Sequence, residues 1–179
     1  KKSNVVIKNV KFLLNYTNRM TYGDEINYLI YLDEPNYFSL TDCSFALSFF
    51  ENGIFYFKAP NAGYGTDANL HSGTHLKLAR LTVERVASEG DLLGYVESSS
   101  DQPNIEISEL TVKDSFSLDS ILTIVHKGTQ TSQNIEGNCL PLCFPKKSVN
   151  ISSVSFTRAF SSKGVLSLSN FANVNIKDI

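Results

Sequence analysis

Charge of neither sign dominates this chain. Its 16 basic and 18 acidic side chains leave a formal net charge of −2, too little positive charge for an electrostatic nucleic-acid binder. Long hydrophobic runs are missing as well, since no stretch approaches the roughly 18 apolar residues that span a bilayer. Amphipathic helical patterns are scarce, so the long helical crossovers of a βαβ fold have no candidates. No signal peptide opens the sequence, because Lys1-Lys2-Ser3 runs straight into a strand-like segment. With no initiating Met and a last repeat cut short, the expectation is a fragment or processed product of a longer chain. Cysteine is sparse and odd in number: Cys43 sits in an apolar pattern, while Cys139 and Cys143 share a loop. Catalytic signatures are also lacking. There is no G-x-S-x-G elbow, and Gly63-Tyr64-Gly65 is too short for a phosphate loop.

What the chain does contain is a repeat. Apolar-x-apolar-x-x-apolar-x-apolar fits Val5, Ile7, Val10, Phe12 and then Phe38, Leu40, Cys43, Phe45. It returns at Leu76, Leu78, Leu81, Val83, at Ile105, Ile107, Leu110, Val112, and at Val149, Ile151, Val154, Phe156. A sixth copy begins at Val174, Ile176 and Ile179. Spacing of two keeps side chains on one face of a strand. A step of three cannot do so unless the two residues inside it turn the chain. Those pairs are Lys8-Asn9, Thr41-Asp42, Ala79-Arg80, Ser108-Glu109, Ser152-Ser153 and Lys177-Asp178, nearly all polar, as an outer corner requires. A third apolar strand follows each of the first five copies: Tyr28 to Leu32, Ile54 to Phe57, Leu92 to Val96, Ile121 to Val125 and Val165 to Leu168.

The fold these patterns predict is all-β: a right-handed parallel β-helix of about five to six turns of three short strands, forming one domain over residues 1–179. An antiparallel sandwich is the alternative, but it leaves the repeated two-residue corner unexplained. Counted from Ile7, copies start 33, 38, 29, 44 and 25 residues apart, so the excess must lie in loops. The two large insertions, 58–74 and 126–147, leave from the same corner two turns apart, with roots roughly 10 Å from each other. They are either a binding face or a cover for the stack.

The segments IEISELTVKDSFSLDSILTIV and VNISSVSFTRAFSSKGVLSLSNFANVNIKDI resemble the parallel β-helix repeats of the pectin-lyase-like superfamily. They look most like the repeats of large surface proteins of protists, ciliates in particular. The resemblance covers essentially the whole chain and is specific for fold rather than function. It implies an extracellular or cell-surface solenoid belonging to a longer chain, with a Cys-rich region and a membrane anchor elsewhere. Surface-coat structure, adhesion and mating-type or self/non-self recognition are all compatible roles. The superfamily's hydrolases would bring clustered aspartates, Gly-His-Gly and Arg-x-Lys, and none is present; LARLTVER has Arg80 and Arg85 but no Arg-x-Lys. Its lyases would bring several carboxylates for calcium. Asp24-Glu25 and Asp33-Glu34 come nearest, against the plainer reading of solvated loops.

Asp67, His71 and His75 are spaced by four and would share a helix face suited to zinc, but their segment is Gly-rich and His75 begins a strand. Cys139 and Cys143 form a disulfide, half a zinc site or two free thiols, with the disulfide favoured in a secreted chain. Cys43 reads as a small buried apolar residue. Sequons at Asn15 and Asn150 are candidate N-glycosylation sites. No catalytic residue, metal or other cofactor is expected, and no membrane span or nucleic-acid partner.

The resulting functional expectation is a non-enzymatic structural or recognition module binding other protein chains, with glycans possible. A carbohydrate-active lyase or hydrolase and a phage-type adhesin are the alternatives. The expected interface is the outward row of the third strands: Ile54 and Tyr56, Leu93 and Tyr95, Ile121 and Thr123, and Val165, with Tyr28 and Ile30 continuing it. This presumes that Phe55, Phe57, Leu122, Ile124, Leu166 and Leu168 point inward. A row that carries aliphatic residues where a solvated face should be polar reads as a surface awaiting a partner, unless the insertions fold back over it.

Overall fold

A computed structural model describes residues 4–17, 27–33, 35, 37–58, 75–98, 104–126, 148–169 and 173–179. The strands are β1 (Asn4–Lys8), β2 (Lys11–Leu13), β3 (Tyr28–Asp33), β4 (Tyr37–Phe50), β5 (Gly53–Lys58), β6 (His75–Ser88) and β7 (Gly94–Ser98). They continue with β8 (Asn104–Lys113), β9 (Phe116–Ser117), β10 (Ser120–His126), β11 (Ser148–Thr157), β12 (Phe160–Ser161), β13 (Gly164–Ser169) and β14 (Asn173–Lys177). Among the described residues there is no helix.

The strands make two sheets, and every pairing is parallel. The first has nine strands, with β1-β4-β6-β8-β11-β14 as its spine and β2, β9 and β12 attached. The second has five, in the order β13-β10-β7-β5-β3. The chain passes alternately through them, so each pass through the first sheet is followed by one strand of the second. Register follows the repeat. Ile7 pairs with Leu40, Leu40 with Leu78, Leu78 with Ile107, Ile107 with Ile151 and Ile151 with Ile176. The equivalent positions of the six copies therefore stand in one column, which lines the core except at its end, where Ile176 is 44 % exposed.

The corners work as the three-residue step requires. The second residue of each pair adopts a left-handed backbone: Asn9, Asp42, Arg80, Glu109, Ser153 and Asp178 have φ between 52° and 58°. One left-handed residue bends the strand and resets which face the next side chain meets. Asn and Asp take this conformation readily, whereas Arg and Glu do so at a cost of about 1–2 kcal/mol each. Stacking of the corners offsets part of that cost. Arg80 grips Asp42 of the preceding pass through two hydrogen bonds, 2.5 and 3.0 Å, and these hold the Asp42 carboxyl below the usual carboxylate range.

A second corner follows five residues after the first, which the apolar pattern alone does not reveal. Leu14, Leu47, Arg85, Asp114 and Arg158 are also left-handed, and Arg158 again grips an aspartate, Asp114. Each of the first five passes therefore carries one more short strand than the three expected.

Both sheets face a single core. Phe38 of β4 packs against Phe55 and Phe57 of β5, ring centroids 5.8 and 6.2 Å apart. Phe55, Phe57, Leu122 and Ile124 are fully buried, and Leu166 and Leu168 pack against the cluster, as the inward assignment requires. Cys43 is buried, and its thiol donates to the Thr41 carbonyl across the corner, 3.1 Å.

Candidate recognition surface

The extra strand runs for three residues beyond the second corner, and its alternation sorts the side chains. Asn15, Ser48, Val86, Ser115 and Ala159 point inward at its start; Thr17, Phe50, Ser88, Ser117 and Ser161 do so at its end. These inner positions are mostly small and polar because backbone groups near a sharp corner lack ladder partners. Ser48 Oγ donates to the Ala46 carbonyl at 2.8 Å and accepts from the Asn15 N–H at 3.0 Å. Ser115 Oγ repeats the pattern with the Lys113 carbonyl at 2.6 Å and the Val86 N–H at 3.2 Å. Each serine thus ties one pass to the pass before it.

The outward residue between those positions is Tyr16, Phe49, Ala87, Phe116 and Phe160 in successive passes. Parallel pairing sets them in one column: Tyr16 on Phe49, Phe49 on Ala87, Ala87 on Phe116, Phe116 on Phe160. The rings stack, Tyr16 on Phe49 at 5.5 Å and Phe116 on Phe160 at 5.4 Å with planes 3° apart. Tyr16 is 65 % and Phe160 58 % exposed. Leu14, Leu47 and Leu118 are exposed beside them. Apolar groups of this size, grouped on one edge of a soluble fold, mark an interaction surface.

Polar groups gather where each pass turns into the second sheet. Asp91 is 7 % exposed and receives hydrogen bonds from Thr123 Oγ1 at 2.9 Å and the Ser120 N–H at 3.2 Å. Burial raises its pKa to about 6 despite those bonds, with the charge of Asp119 adding to the effect. Lys163 pairs with Asp119 at 2.8 Å. Burial also pushes the Tyr28 hydroxyl up to about 12, helped by Asp91. Asp91 is enclosed, both its hydrogen-bonding neighbours are backbone or hydroxyl groups of the fold, and it reads as a structural group.

The expected interface row is only partly on the surface. Ile54, Leu93 and Ile121 are each 0 % exposed within the chain itself and belong to the core cluster, so these three offer nothing to a partner. For Ile54 and Leu93 a local reason lies at the start of the strands. Gly53 and Gly94 have φ of +128° and +155°, so the chain is still bending where strict alternation was extrapolated. Tyr56, Tyr95 and Thr123 do lie in one partly exposed outer column, and Val165 is exposed. The residue of β3 in that column is Tyr31, paired with Tyr56; Tyr28 and Ile30 have the opposite parity. Tyr31, Tyr56 and Tyr95 stack at 5.1 and 5.9 Å with planes 6° apart. Their faces are spent largely on one another, which makes the tyrosine row chiefly a brace of the second sheet.

The remaining candidates separate cleanly. Asn15 turns inward, its Nδ2 buried without a hydrogen-bond partner, so the folded chain has no room for a glycan there. Asn150 is exposed on β11, which leaves it as the accessible sequon. Asp33 pairs with Lys58 at 3.6 Å on the surface. Among the described residues no three His, Cys, Asp or Glu side chains converge as metal ligands. Cys139, Cys143, Asp24, Glu25, Glu34, Asp67 and His71, the 63–65 segment, and the insertions beyond Lys58 and His126 lie outside the described residues, as does the side chain of His75.

The aromatic column was legible in principle. Tyr16, Phe49, Ala87, Phe116 and Phe160 each lie nine residues after Ile7, Leu40, Leu78, Ile107 and Ile151. Extending the aligned repeat past its last apolar position exposes that constant offset. Compared with family models, curated proteins and solved structures, the chain matches none.

Proposed function

We propose that this chain is a right-handed parallel β-helix module of an extracellular or cell-surface protein, and that it recognises a protein partner rather than catalysing a reaction. The two parallel sheets share one core and alternate along the chain, which is what successive turns of such a helix require. The observation that carries the recognition reading is the outward aromatic column Tyr16–Phe49–Ala87–Phe116–Phe160, in which Tyr16, Phe116 and Phe160 are exposed. Nothing in the repeat requires an outward apolar residue there, because the inward serines already hold the strand. An aromatic stripe exposed to water costs solubility and is retained where a partner covers it.

The test uses beads coated with the chain and cells of the organism that makes it. The double variant Phe116→Asp/Phe160→Asp should fold normally, because both rings lie outside the core, and should lose most adhesion. Equal adhesion by the variant would refute the recognition reading. Release of new reducing ends from a panel of acidic and neutral polysaccharides would refute the non-catalytic one.

A further inference from the structure

The column of outward residues has a missing rung. Four of its five positions carry rings, and the central one is Ala87. Phe49 and Phe116 therefore stand two rungs apart, about 9.6 Å, with only a methyl group between them. The neighbouring rungs show what that distance holds, since rings one rung apart in this column stack at 5.4 and 5.5 Å. A single planar ring placed over Ala87 would lie roughly 5 Å from each wall, within the 4.5–7 Å range of stacked aromatic pairs. Among the described residues no ring occupies that position, and Ala87 is only partly buried. The two walls are braced from behind, Phe49 by Tyr16 and Phe116 by Phe160, so the slot is formed before anything enters it.

The rims of the slot add a charge pattern. On the side toward the second sheet, the next outward column carries Glu51 beside Phe49 and Glu89 beside Ala87. Glu89 is exposed, whereas Glu51 is half-buried with its Oε2 enclosed, so Glu89 is the carboxylate open to an incoming group. On the opposite side Arg85 is exposed and lies 3.9 Å from Glu84.

We propose that the Ala87 slot receives one aromatic side chain of a partner protein, inserted between Phe49 and Phe116, with an adjacent basic residue of the same partner reaching Glu89. A polypeptide is the occupant this chemistry fits. The floor and walls, an alanine and two phenylalanines, are apolar, and the exposed carboxylate at the rim suits a basic neighbour on a peptide better than a neutral sugar, whose hydroxyls would gain few partners inside the slot. The proposal rests on the recognition reading and narrows it to one slot and one side-chain class.

The chain contains no tryptophan, so the emission of a tryptophan probe is free of background. The probe is the capped peptide Gly-Lys-Trp-Lys-Gly, with Gly-Lys-Leu-Lys-Gly as competitor control. Saturable binding with a blue-shifted emission is expected, and the leucine peptide should compete poorly. Ala87→Phe completes the ladder and closes the slot; it should weaken binding at least about tenfold without lowering the melting temperature. Phe116→Leu removes one wall on the surface and should weaken binding severalfold, which keeps the test open if Ala87→Phe disturbs folding. Binding unchanged in both variants would overturn the proposal, as would no saturable binding. Self-association abolished by Ala87→Phe without peptide binding would assign the slot to a second copy and also overturn it. Binding of cello-oligosaccharides blocked by Ala87→Phe would overturn it in favour of a glycan. If these peptide tests fail while bead adhesion still depends on Phe116 and Phe160, the slot is wrong and the wider recognition reading stands; if adhesion is independent of both rings, that reading falls as well.

Discussion

Replacing Ser115 by alanine tests whether the buried serines of the extra strand hold successive passes together. Ser115 is 3 % exposed, and its hydroxyl makes two bonds to backbone, donating to Lys113 O and accepting from Val86 N–H. The two losses are unequal. Lys113 is an exposed corner residue, so water can reach toward its carbonyl once the hydroxyl is gone. Val86 is 1 % exposed, and its amide would be left inside without an acceptor. An orphaned buried N–H costs about 1–3 kcal/mol, and the methyl group that remains is too small to leave a cavity of consequence, so Ser115→Ala should destabilise the chain by about 2 kcal/mol. Ser115→Cys should recover part of this, because a thiol keeps the donor half of the bridge, as Cys43 does toward the Thr41 carbonyl at the first corner, and its sulfur can accept weakly from the Val86 N–H. Ser155→Ala, on the outward face of β11, is the control and should cost less than about 0.5 kcal/mol. Urea unfolding followed by far-UV circular dichroism reads all three, with the m-value unchanged. A Ser115→Ala variant within 0.5 kcal/mol of the parent, or a Ser155→Ala variant equally destabilised, would show that the serine bridges are incidental.

Two further outcomes follow from single side chains. Asp91→Asn keeps an oxygen for Thr123 and Ser120 but removes a charge whose burial raises the folded pKa to about 6 from 3.8. A raised acid pKa means that the ionised form opposes folding, so the parent gains stability as the pH falls from about 6 toward 3.8, and the full penalty applies above 6. The variant should therefore be the more stable at pH 8, by an order of 1–2 kcal/mol, and should lose that part of the pH dependence; equal slopes for both proteins in pH-dependent urea melts would contradict this. Gly94→Ala should be far more damaging than Gly164→Ala. An added Cβ at Gly94 would meet the Phe55 carbonyl oxygen at 1.8 Å, whereas at Gly164 nothing lies within 4 Å and only the backbone conformation, φ +139°, opposes it. Thermal melts that rank the two equally would refute the close approach of β7 to β5.

The sequence by itself determined the long first-sheet ladder, because its code is hydrophobic. Ile7, Leu40, Leu78, Ile107, Ile151 and Ile176 are apolar at fixed spacing, and the three-residue step demands a corner whichever residues fill it. The same logic found the five strands of the second sheet and the inward set from Phe55 to Leu168. The extra strand escaped because its inward residues, such as Ser48, Ser115 and Ser117, are chosen for backbone hydrogen bonds rather than for burial of apolar area. No hydrophobic period announces them, and their outward neighbours, Phe49, Phe116 and Phe160, carry the apolar character instead. That inverts the usual pattern at the very edge proposed to bind a partner.

Tertiary structure alone decided which apolar residues face water. Ile54 and Tyr56 have the same parity in sequence, yet one is buried and the other is not, since the bend at Gly53 is a property of the folded backbone and not of composition. Only stacking across passes brings Phe49, Ala87 and Phe116, which lie 38 and 29 residues apart along the chain, to adjacent rungs of one column. Local sequence sets which way each of these side chains points; the register between passes, fixed by core packing and ladder hydrogen bonds, sets which side chains meet.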